Sequence, residues 1–351
     1  MNRQFEYTEA MNGLHFTEEQ KAAIAARAAE AAWQQAQPRR TRRPIGRMAV
    51  IAACLAVVLT VGAGATGVLQ SAAEVLSPLF GGSPAQTEII DKIGYPVGAS
   101  DTDNGVTVTA DAVMGDAYNA VVVYTISRDD GTRLLPEGTE GDMLLVRGNG
   151  TDLNVLGGAH GGSHFVVEDP ASSSIQLVET ISADVPINDC TATGVFEDIC
   201  KWDEATGEAV PVIEGKWKVK FQMAYEDSSI ALGGGETFQQ GGMTFTIDTI
   251  TLSPVAYKVD YTVDSEVAWS DSGSGRQSEE DSIQMANYFE NVEILLTLTD
   301  GTVIDLSNAG GSIGPEDGVT VCSKGEMFSE IIPMEEMASI SVGGVTYDIQ
   351  Q

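Results

Sequence analysis

The feature that most constrains this chain is an uninterrupted apolar stretch, residues 48–69, which contains neither a charged residue nor a proline. An α-helix rises about 1.5 Å per residue, so about 20 apolar residues cross the hydrocarbon core of a bilayer. The stretch is long enough to do so. It predicts one membrane-spanning helix in contact with lipid, with the rest of the chain divided between the two sides.

Basic residues indicate which side is which. Five arginines lie just before the apolar stretch: Arg39, Arg40, Arg42, Arg43 and Arg47. The first basic residue after it is Lys92. Because positively charged loops stay in the cytoplasm, these arginines predict a cytoplasmic tail at residues 1–47 and an external location for everything after residue 69.

A cleaved signal peptide is the alternative to a membrane anchor. Residues 48–61 would be its apolar core, and Ala63-Gly64-Ala65 has the small-residue pattern of a cleavage site. The region before the core is long for a signal peptide and contains a predicted helix of its own, which favours the anchor. Whether proteolysis later releases the external part is left open by the sequence.

The charge is unevenly distributed along the chain. The formal charge is −32, and residues 1–47 hold eight basic and five acidic residues. Eleven basic and 46 acidic residues follow residue 69, which gives the external part a formal charge of about −35. This charge argues against nucleic acid or an anionic membrane surface as the partner of the external part, because phosphates would be repelled. High solubility is the plainer explanation of this charge, and a cationic ligand or a divalent metal is the more specific one.

The cysteines fall into two compartments. Cys54 lies within the predicted span, whereas Cys190, Cys200 and Cys322 would face the oxidising side. Cys190 and Cys200 are close enough in sequence for a small disulfide loop, with two reduced, partly buried thiols as the alternative. Cys322 lies in an apolar run and is expected in the core.

The cytoplasmic tail contains one predicted helix. Thr17 and Gln20 form a capping box, and an alanine-rich run continues to about residue 37. Its apolar face is thin, so the helix cannot bury a core of its own. Either it docks on a cytoplasmic partner or it is a solvated spacer.

A second helix start comes after the membrane segment. Ser83, Pro84 and Gln86 have the pattern of an N-cap, a first-turn proline and a capping-box partner. The helix should end at Gly94, where a left-handed C-terminal residue is expected.

From Asp101 onward the pattern is that of β-strands. Asn104-Gly105 is a tight-turn dipeptide, and residues 216–223 alternate strictly between lysine or glutamine and large apolar residues. Further strands are predicted at 106–110, 120–127, 143–147, 164–168, 175–181, 243–252, 255–263, 292–299, 302–306, 339–342 and 345–349. Many short strands with Gly/Asp turns are typical of a β-sandwich or barrel.

The external part is predicted to hold two β domains. A Ser/Gly-rich break at residues 227–235 separates a juxtamembrane segment and first domain, 70–226, from a second domain, 227–351. The polar, serine-rich stretch 265–290 is expected to be a mobile loop or excursion.

No motif predicts a catalytic, cofactor-binding or metal-binding residue, and the chain is interpreted as a non-enzyme. Residues 310–314 spell G-x-S-x-G, but no strand–helix elbow or downstream histidine accompanies Ser312. His160 and His164 flank a glycine-rich segment without a supporting second shell. Residues 101–105 resemble the start of a calcium loop but have the wrong glycine spacing.

Three segments indicate a family. Residues 77–113, the sequence YTISRDDGT at 124–132 and the sequence YEDSS at 225–229 resemble single-pass membrane proteins of Gram-positive anaerobes catalogued as domain of unknown function 4179. Residues 245–263 are similar to the segment C-terminal to that domain in the same proteins. The resemblance implies location in the bacterial cytoplasmic membrane, external immunoglobulin-like β-sandwiches, and a role as an anti-sigma factor or related regulator. The zinc-binding anti-sigma module is absent, because the tail has His15 but no cysteine.

Two functions are expected. The first is an envelope sensor or anti-sigma-like regulator, in which the external domains receive a signal from an unknown ligand and the helix at 17–37 binds a transcription regulator such as a sigma factor. The second is a membrane-anchored binding or adhesion module, for which the tail is dispensable.

Overall fold

The computed structural model describes residues 71–80, 83–139, 141–270 and 277–349. Contacts divide the chain into Met1–Ala63 and Gly64–Gln351, and every described residue belongs to the second unit. The predicted tail helix at 17–37, the predicted span at 48–69 and its five arginines lie outside the described residues. The described part is mainly β, built from several antiparallel sheets, as expected.

Two helices open the described chain, α1 at Ala72–Phe80 and α2 at Pro84–Ile93. The predicted capping box of α2 is confirmed: the Ser83 hydroxyl accepts from the Gln86 backbone at 3.3 Å, and the Gln86 side chain accepts from the Ser83 backbone at 3.1 Å. The left-handed Gly94 was a wrong prediction, since its φ is −84°. Glycine is needed there for space, because a Cβ would lie 2.6 Å from the carbonyl oxygen of Ile90.

Eight strands form the first half of the β structure. They are β1 Gly94–Asp103, β2 Val106–Gly115, β3 Asn119–Arg128, β4 Leu144–Leu153, β5 Ala159–Val166, β6 Ser174–Ala183, β7 Thr191–Asp203 and β8 Glu208–Gln222. Sheet I has the order β1-β2-β3-β6-β5, and sheet II has the order β4-β7-β8. The predicted Asn104-Gly105 turn joins β1 to β2 with φ values of 50° and 72°, as a two-residue hairpin turn requires.

Sheets I and II enclose the first core. The alternation predicted for β8 is confirmed, with Trp217, Val219 and Phe221 buried and the intervening lysines exposed. Tyr124 of β3 meets Phe196 of β7 edge to face, with ring centroids 4.9 Å apart. The core is thus filled by apolar residues from both sheets.

Side chains of β1 hold the edges of these two sheets together. The Asp101 carboxylate accepts from the backbone N–H of Lys218 at 2.8 Å, and Asp103 accepts from that of Lys216 at 2.9 Å. These residues belong to the stretch that resembled a calcium loop. Their carboxylates satisfy backbone donors on the edge strand β8, which would otherwise be unpaired there.

Ten strands form the second half. They are β9 Ile230–Leu232, β10 Thr237–Gln240, β11 Met243–Leu252, β12 Ala256–Val263, β13 Ile294–Leu298, β14 Val303–Asp305, β15 Gly311–Glu316, β16 Val319–Met327, β17 Met337–Val342 and β18 Val345–Asp348. Sheet III has the order β10-β11-β12-β16-β15, with β9 paired to β11, and sheet IV has the order β14-β13-β17-β18. A second core lies between them.

The polar stretch between β12 and β13 is partly helical, which corrects the predicted loop at 265–290. Helix α3, Glu279–Met285, is capped by Ser278 and continues into a π-helical turn, Ala286–Glu290. Tyr288 and Phe289 of that turn are buried in the second core. Val267 and these two rings anchor the described part of this stretch in the second core.

A third apolar cluster connects α1 and α2 with both halves. The helices cover the face of sheet I that is turned away from the first core, where Met114, Val121 and Val123 are buried. Val255 and Ile331 of the second half belong to the same cluster. The central strands of sheet I are therefore buried on both faces, which accounts for the continuous apolar run of β3.

Candidate functional site

An open groove with a volume of about 860 Å³ lies where α1 and α2 meet the two halves of the β structure. We call it the junction groove. The helices contribute Leu79, Phe80, Ser83 and Gln86, and sheet I contributes His164, Val178 and Thr180. The remaining lining residues come from the second half, at Tyr257, between residues 298 and 309, and between residues 326 and 336. Its size is that of a pocket for a small molecule or a short peptide segment.

Aromatic rings lie at the base of the junction groove. Tyr257 of β12 stacks on Phe328 with centroids 5.7 Å apart and an interplanar angle of 19°. The Tyr257 hydroxyl donates to the carbonyl of Leu306 at 2.6 Å. Burial is the main reason that the pKa of Tyr257 lies above its ordinary value, and the negative charges of Glu326 and Asp305 raise it further.

Four carboxylates surround this apolar base: Asp305, Glu326, Glu330 and Glu336. All four residues are exposed, and no lysine or arginine is found among the described residues that line the groove. Hydrogen bonds from Ser307 hold the pKa of Asp305 below its ordinary value, so this side chain is ionised at neutral pH. The groove thus combines an apolar base with a negative rim.

One wall of the groove depends on the two helices. The Gln86 side-chain amide donates to the carbonyl of Ile331 at 3.2 Å, and the Ile331 backbone N–H donates to the carbonyl of Phe80 at 3.3 Å. Ile331 is itself 3 % exposed. A displacement of α1 or α2 would therefore move the segment that carries Glu330.

A buried carboxylate joins the two halves near the groove. Asp116, in the turn between β2 and β3, accepts from the backbone N–H groups of Tyr118 at 2.9 Å and Asn119 at 2.8 Å. Ser253 of the second half donates to its other oxygen at 2.7 Å. Burial raises the pKa of Asp116, and these hydrogen bonds oppose the rise.

Tyr118 makes a second contact between the halves. The Lys258 ammonium lies 4.7 Å from the centroid of the Tyr118 ring and forms an ion pair with Asp260. Lys258 is 7 % exposed, so the cation–π contact is largely shielded from water. The turn between β2 and β3 is thereby held both by β12, through Lys258, and by the residues that precede it, through Ser253.

Helices α1 and α2 and strands β1 to β3 lie in a region that matches a known protein family. A family model described as a domain of unknown function (DUF4179) matches residues 40–128. Residues 40–128 are thus similar to this domain. The resemblance predicted from the sequence is confirmed over these residues, and the match ends at the last residue of β3.

Two further comparisons add little to the DUF4179 assignment. No curated protein matches the chain. One solved structure, "The crystal structure of the conserved domain protein from Bacillus anthracis", is similar with a TM-score of 0.49 and 17 % identity. The similarity covers 76 % of this chain and 83 % of that chain.

Cys190 and Cys200, for which the sequence allowed either a disulfide or two reduced thiols, lie beyond the DUF4179 segment and are not bonded to each other. Cys190 precedes the first residue of β7, whereas Cys200 lies near its far end, and both thiols are free. Ten residues of extended strand separate their α-carbons by about 30 Å, while a disulfide requires less than about 7 Å. Closeness in sequence does not bring these thiols together, because most of β7 lies between them. Cys322 is buried in the second core, as predicted.

The two histidines that flank the glycine-rich segment are held apart by β5. They stand four residues apart on this strand, a separation of about 13 Å. His160 lies 3.3 Å from the carbonyl oxygen of Gly325, whereas His164 lines the junction groove. In the part of the chain that the structure describes, no three His, Cys, Asp or Glu side chains are arranged to hold a metal ion.

The G-x-S-x-G sequence forms part of β15, with no nucleophile elbow. Ser312 donates to the Asp184 carboxylate at 3.1 Å. Because Asp184 follows β6, this hydrogen bond is another link between the halves.

Among the described residues, no helix is long and apolar enough to span a bilayer.

Sequence reasoning did not find the junction groove. Its lining comes from segments more than 200 residues apart, and its four carboxylates are indistinguishable in the sequence from dozens of other acids. The only available signal in the sequence was the Ser83 capping box. It predicted the helix that begins at Pro84 but not the residues that this helix contacts.

Proposed function

We propose that this protein is a single-pass envelope sensor that regulates a cytoplasmic transcription factor. Residues 1–47 would form the cytoplasmic tail, residues 48–69 would cross the bacterial cytoplasmic membrane, and the β structure would lie outside. The helix at 17–37 would bind the regulator, for which a sigma factor is the leading candidate. The proposal treats the chain as non-enzymatic.

One observation carries the proposal. The helices that come after the predicted span are packed into an apolar cluster shared by both halves of the β structure. Phe80 of α1 and Gln86 of α2 both hydrogen-bond to Ile331, which lies in the wall of the junction groove. A ligand that displaces this wall would therefore alter the segment adjoining the membrane.

The two halves are proposed to be immunoglobulin-like β-sandwiches, at residues 70–226 and 227–351. In support, the first core draws its buried residues from Val97 to Tyr225, and the second draws them from Phe238 to Ile349. Each core lies between a pair of antiparallel sheets, as in sandwich domains.

Topology is the first part of the proposal to test. Single reporter cysteines, Thr8→Cys and Ser272→Cys, would be placed in a full-length chain whose four native cysteines are replaced by alanine. A membrane-impermeant thiol reagent should label intact cells at position 272 but not at position 8. Labelling at both positions, or a shortened protein released into the medium, would refute the anchored topology.

The regulatory role is tested by recovering partners of the tail. Full-length protein and a variant lacking residues 1–37 would be purified from cross-linked cells that express the protein. A transcription regulator should be recovered with the full-length chain alone. Equal recovery with both, or none with either, would contradict the proposal.

A membrane-anchored binding or adhesion module is the second candidate. The exposed junction groove favours it, because a groove binds a ligand whether or not a signal results. Removing residues 1–37 separates the two functions: an adhesin would keep its binding phenotype, while a regulator would lose its transcriptional output.

A further inference from the structure

The junction groove combines features that select one kind of ligand. Its base is apolar and aromatic, with Tyr257 stacked on Phe328. Its rim holds Asp305, Glu326, Glu330 and Glu336, and no lysine or arginine is found among the described lining residues. A ligand that suits both the base and the rim must carry positive charges beside apolar groups. The rim carboxylates would repel an anionic ligand, and a purely apolar ligand would cover these carboxylates without compensating their charge, which is costly.

We propose that the junction groove binds a short cationic peptide in which apolar side chains alternate with lysine or arginine. The apolar side chains would pack on the Tyr257 and Phe328 rings, and the cationic groups would pair with the rim carboxylates. An extended strand points alternate side chains to opposite faces, which allows both contacts along one peptide.

The charge of the whole external part supports this choice of partner. A formal charge of about −35 attracts a cation before contact, and this attraction raises the association rate. The groove then adds the apolar contacts that give selectivity. The inference deepens the proposed function by naming the class of signal, and as a signal it rests on that proposal, although binding itself does not require it.

The position of the groove indicates what the peptide would do. Glu330 is adjacent to Ile331, which hydrogen-bonds to both juxtamembrane helices. A cation paired with Glu330 would therefore act on the connection between the second half and α1–α2.

The test is direct binding to the full-length protein in lipid nanodiscs. The probe is a fluorescent Lys-Leu-Lys-Leu-Lys-Leu amide, compared with a Glu-Leu-Glu-Leu-Glu-Leu amide and a Lys-Ser-Lys-Ser-Lys-Ser amide, and empty nanodiscs give the lipid background. We expect saturable binding of the Lys/Leu peptide, binding at least about tenfold weaker for the Lys/Ser peptide, and none for the Glu/Leu peptide. Equal binding of the Lys/Leu and Lys/Ser peptides would overturn the role of the apolar base.

Two variants locate the binding. The double variant E326Q/E330Q should weaken the Lys/Leu peptide about tenfold, while E204Q/E208Q, which removes the same charge from the exposed turn between β7 and β8, should change its affinity less than about twofold. Asn308→Trp, at an exposed lining position, should block binding without altering charge. Equal losses in both double variants would show that net charge binds the peptide, and the groove would be rejected.

The two proposals fail separately. Peptide binding without recovery of a cytoplasmic partner would leave the groove assignment and remove the regulatory role. Recovery of a partner without peptide binding would leave the regulatory role and remove the groove assignment.

Discussion

The hydroxyl of Ser253 donates to the carboxylate of Asp116 at 2.7 Å, and both side chains are fully buried where the two halves of the β structure meet. Ser253→Ala should lower the free energy of unfolding by about 1–3 kcal/mol, because a buried carboxylate oxygen loses its hydroxyl donor. Urea unfolding measures the loss. Ser329→Ala, at an exposed position, is the matched control. Equal effects of the two substitutions would mean that this contact does not stabilise the junction.

The buried carboxyl group of Asp111 should make stability depend on pH between about pH 4 and pH 6. Burial raises its pKa from 3.8 to about 6, and one of its oxygens has no hydrogen-bond partner. The folded chain therefore keeps this proton to higher pH than the unfolded chain, and stability falls as pH rises from about 4 to about 6. A shift of this size corresponds to about 3 kcal/mol.

The substitution Asp111→Asn should remove this part of the pH dependence. Thermal unfolding between pH 4 and pH 7 would show a flatter profile than that of the unaltered chain. Asp91→Asn, on the exposed face of α2, serves as the control and should leave the slope in place. An unchanged slope in D111N would contradict the assignment to Asp111.

Because of Lys324, we expect stability to change with pH in the opposite direction at alkaline pH. Its ammonium is buried and donates to the carbonyls of Phe289 at 2.9 Å and Glu290 at 3.3 Å, and burial lowers its pKa to about 8. The unfolded chain binds this proton up to about pH 10.5, so stability should rise between pH 8 and pH 10.5.

Lys324→Met keeps a long, unbranched side chain but removes the ammonium donors. It should abolish this alkaline contribution and lower stability at neutral pH by about 1–3 kcal/mol, because the last carbonyls of the π-helical turn lose their partner. Lys220→Met, at an exposed position of β8, is the comparison. Matching pH profiles for the two variants would exclude the proposed role of Lys324.

The free thiols of Cys190 and Cys200 are directly measurable. Alkylation of the purified protein in denaturant, without reductant, should modify both cysteines, and prior reduction should not increase the yield. Peptide mapping by mass spectrometry detects the products. A linked Cys190–Cys200 peptide would show that β7 is not formed as described.

The sequence predicted elements whose determinants are local. The Ser83 capping box and the Asn104-Gly105 turn depend on neighbouring residues, and the alternation in β8 depends on one pleated strand with one buried face. Strand β7 was missed because a bulge at Asp198, with φ of 47°, interrupts its alternation. After the bulge, Ile199 and Cys200 are both buried, which no two-residue period describes.

The candidate site could not be predicted for a different reason. The junction groove arises from packing between α1, α2 and strands distant in sequence, and apart from the capping-box residues Ser83 and Gln86 its lining residues have no distinctive neighbourhood in the chain. The pairing of Asp116 with Ser253 spans 137 residues and is likewise invisible in the sequence.

The packing of α1 and α2 against sheet I also determines how the molecule bears mechanical load. A pull on the N-terminal end of α1 acts first on apolar contacts of Val75, Leu76 and Phe80, whereas β1 is secured by a ladder of hydrogen bonds to β2. Tension from that end would peel the helices away before any strand is unzipped. The outer face of sheet I would then be uncovered while both cores stayed intact.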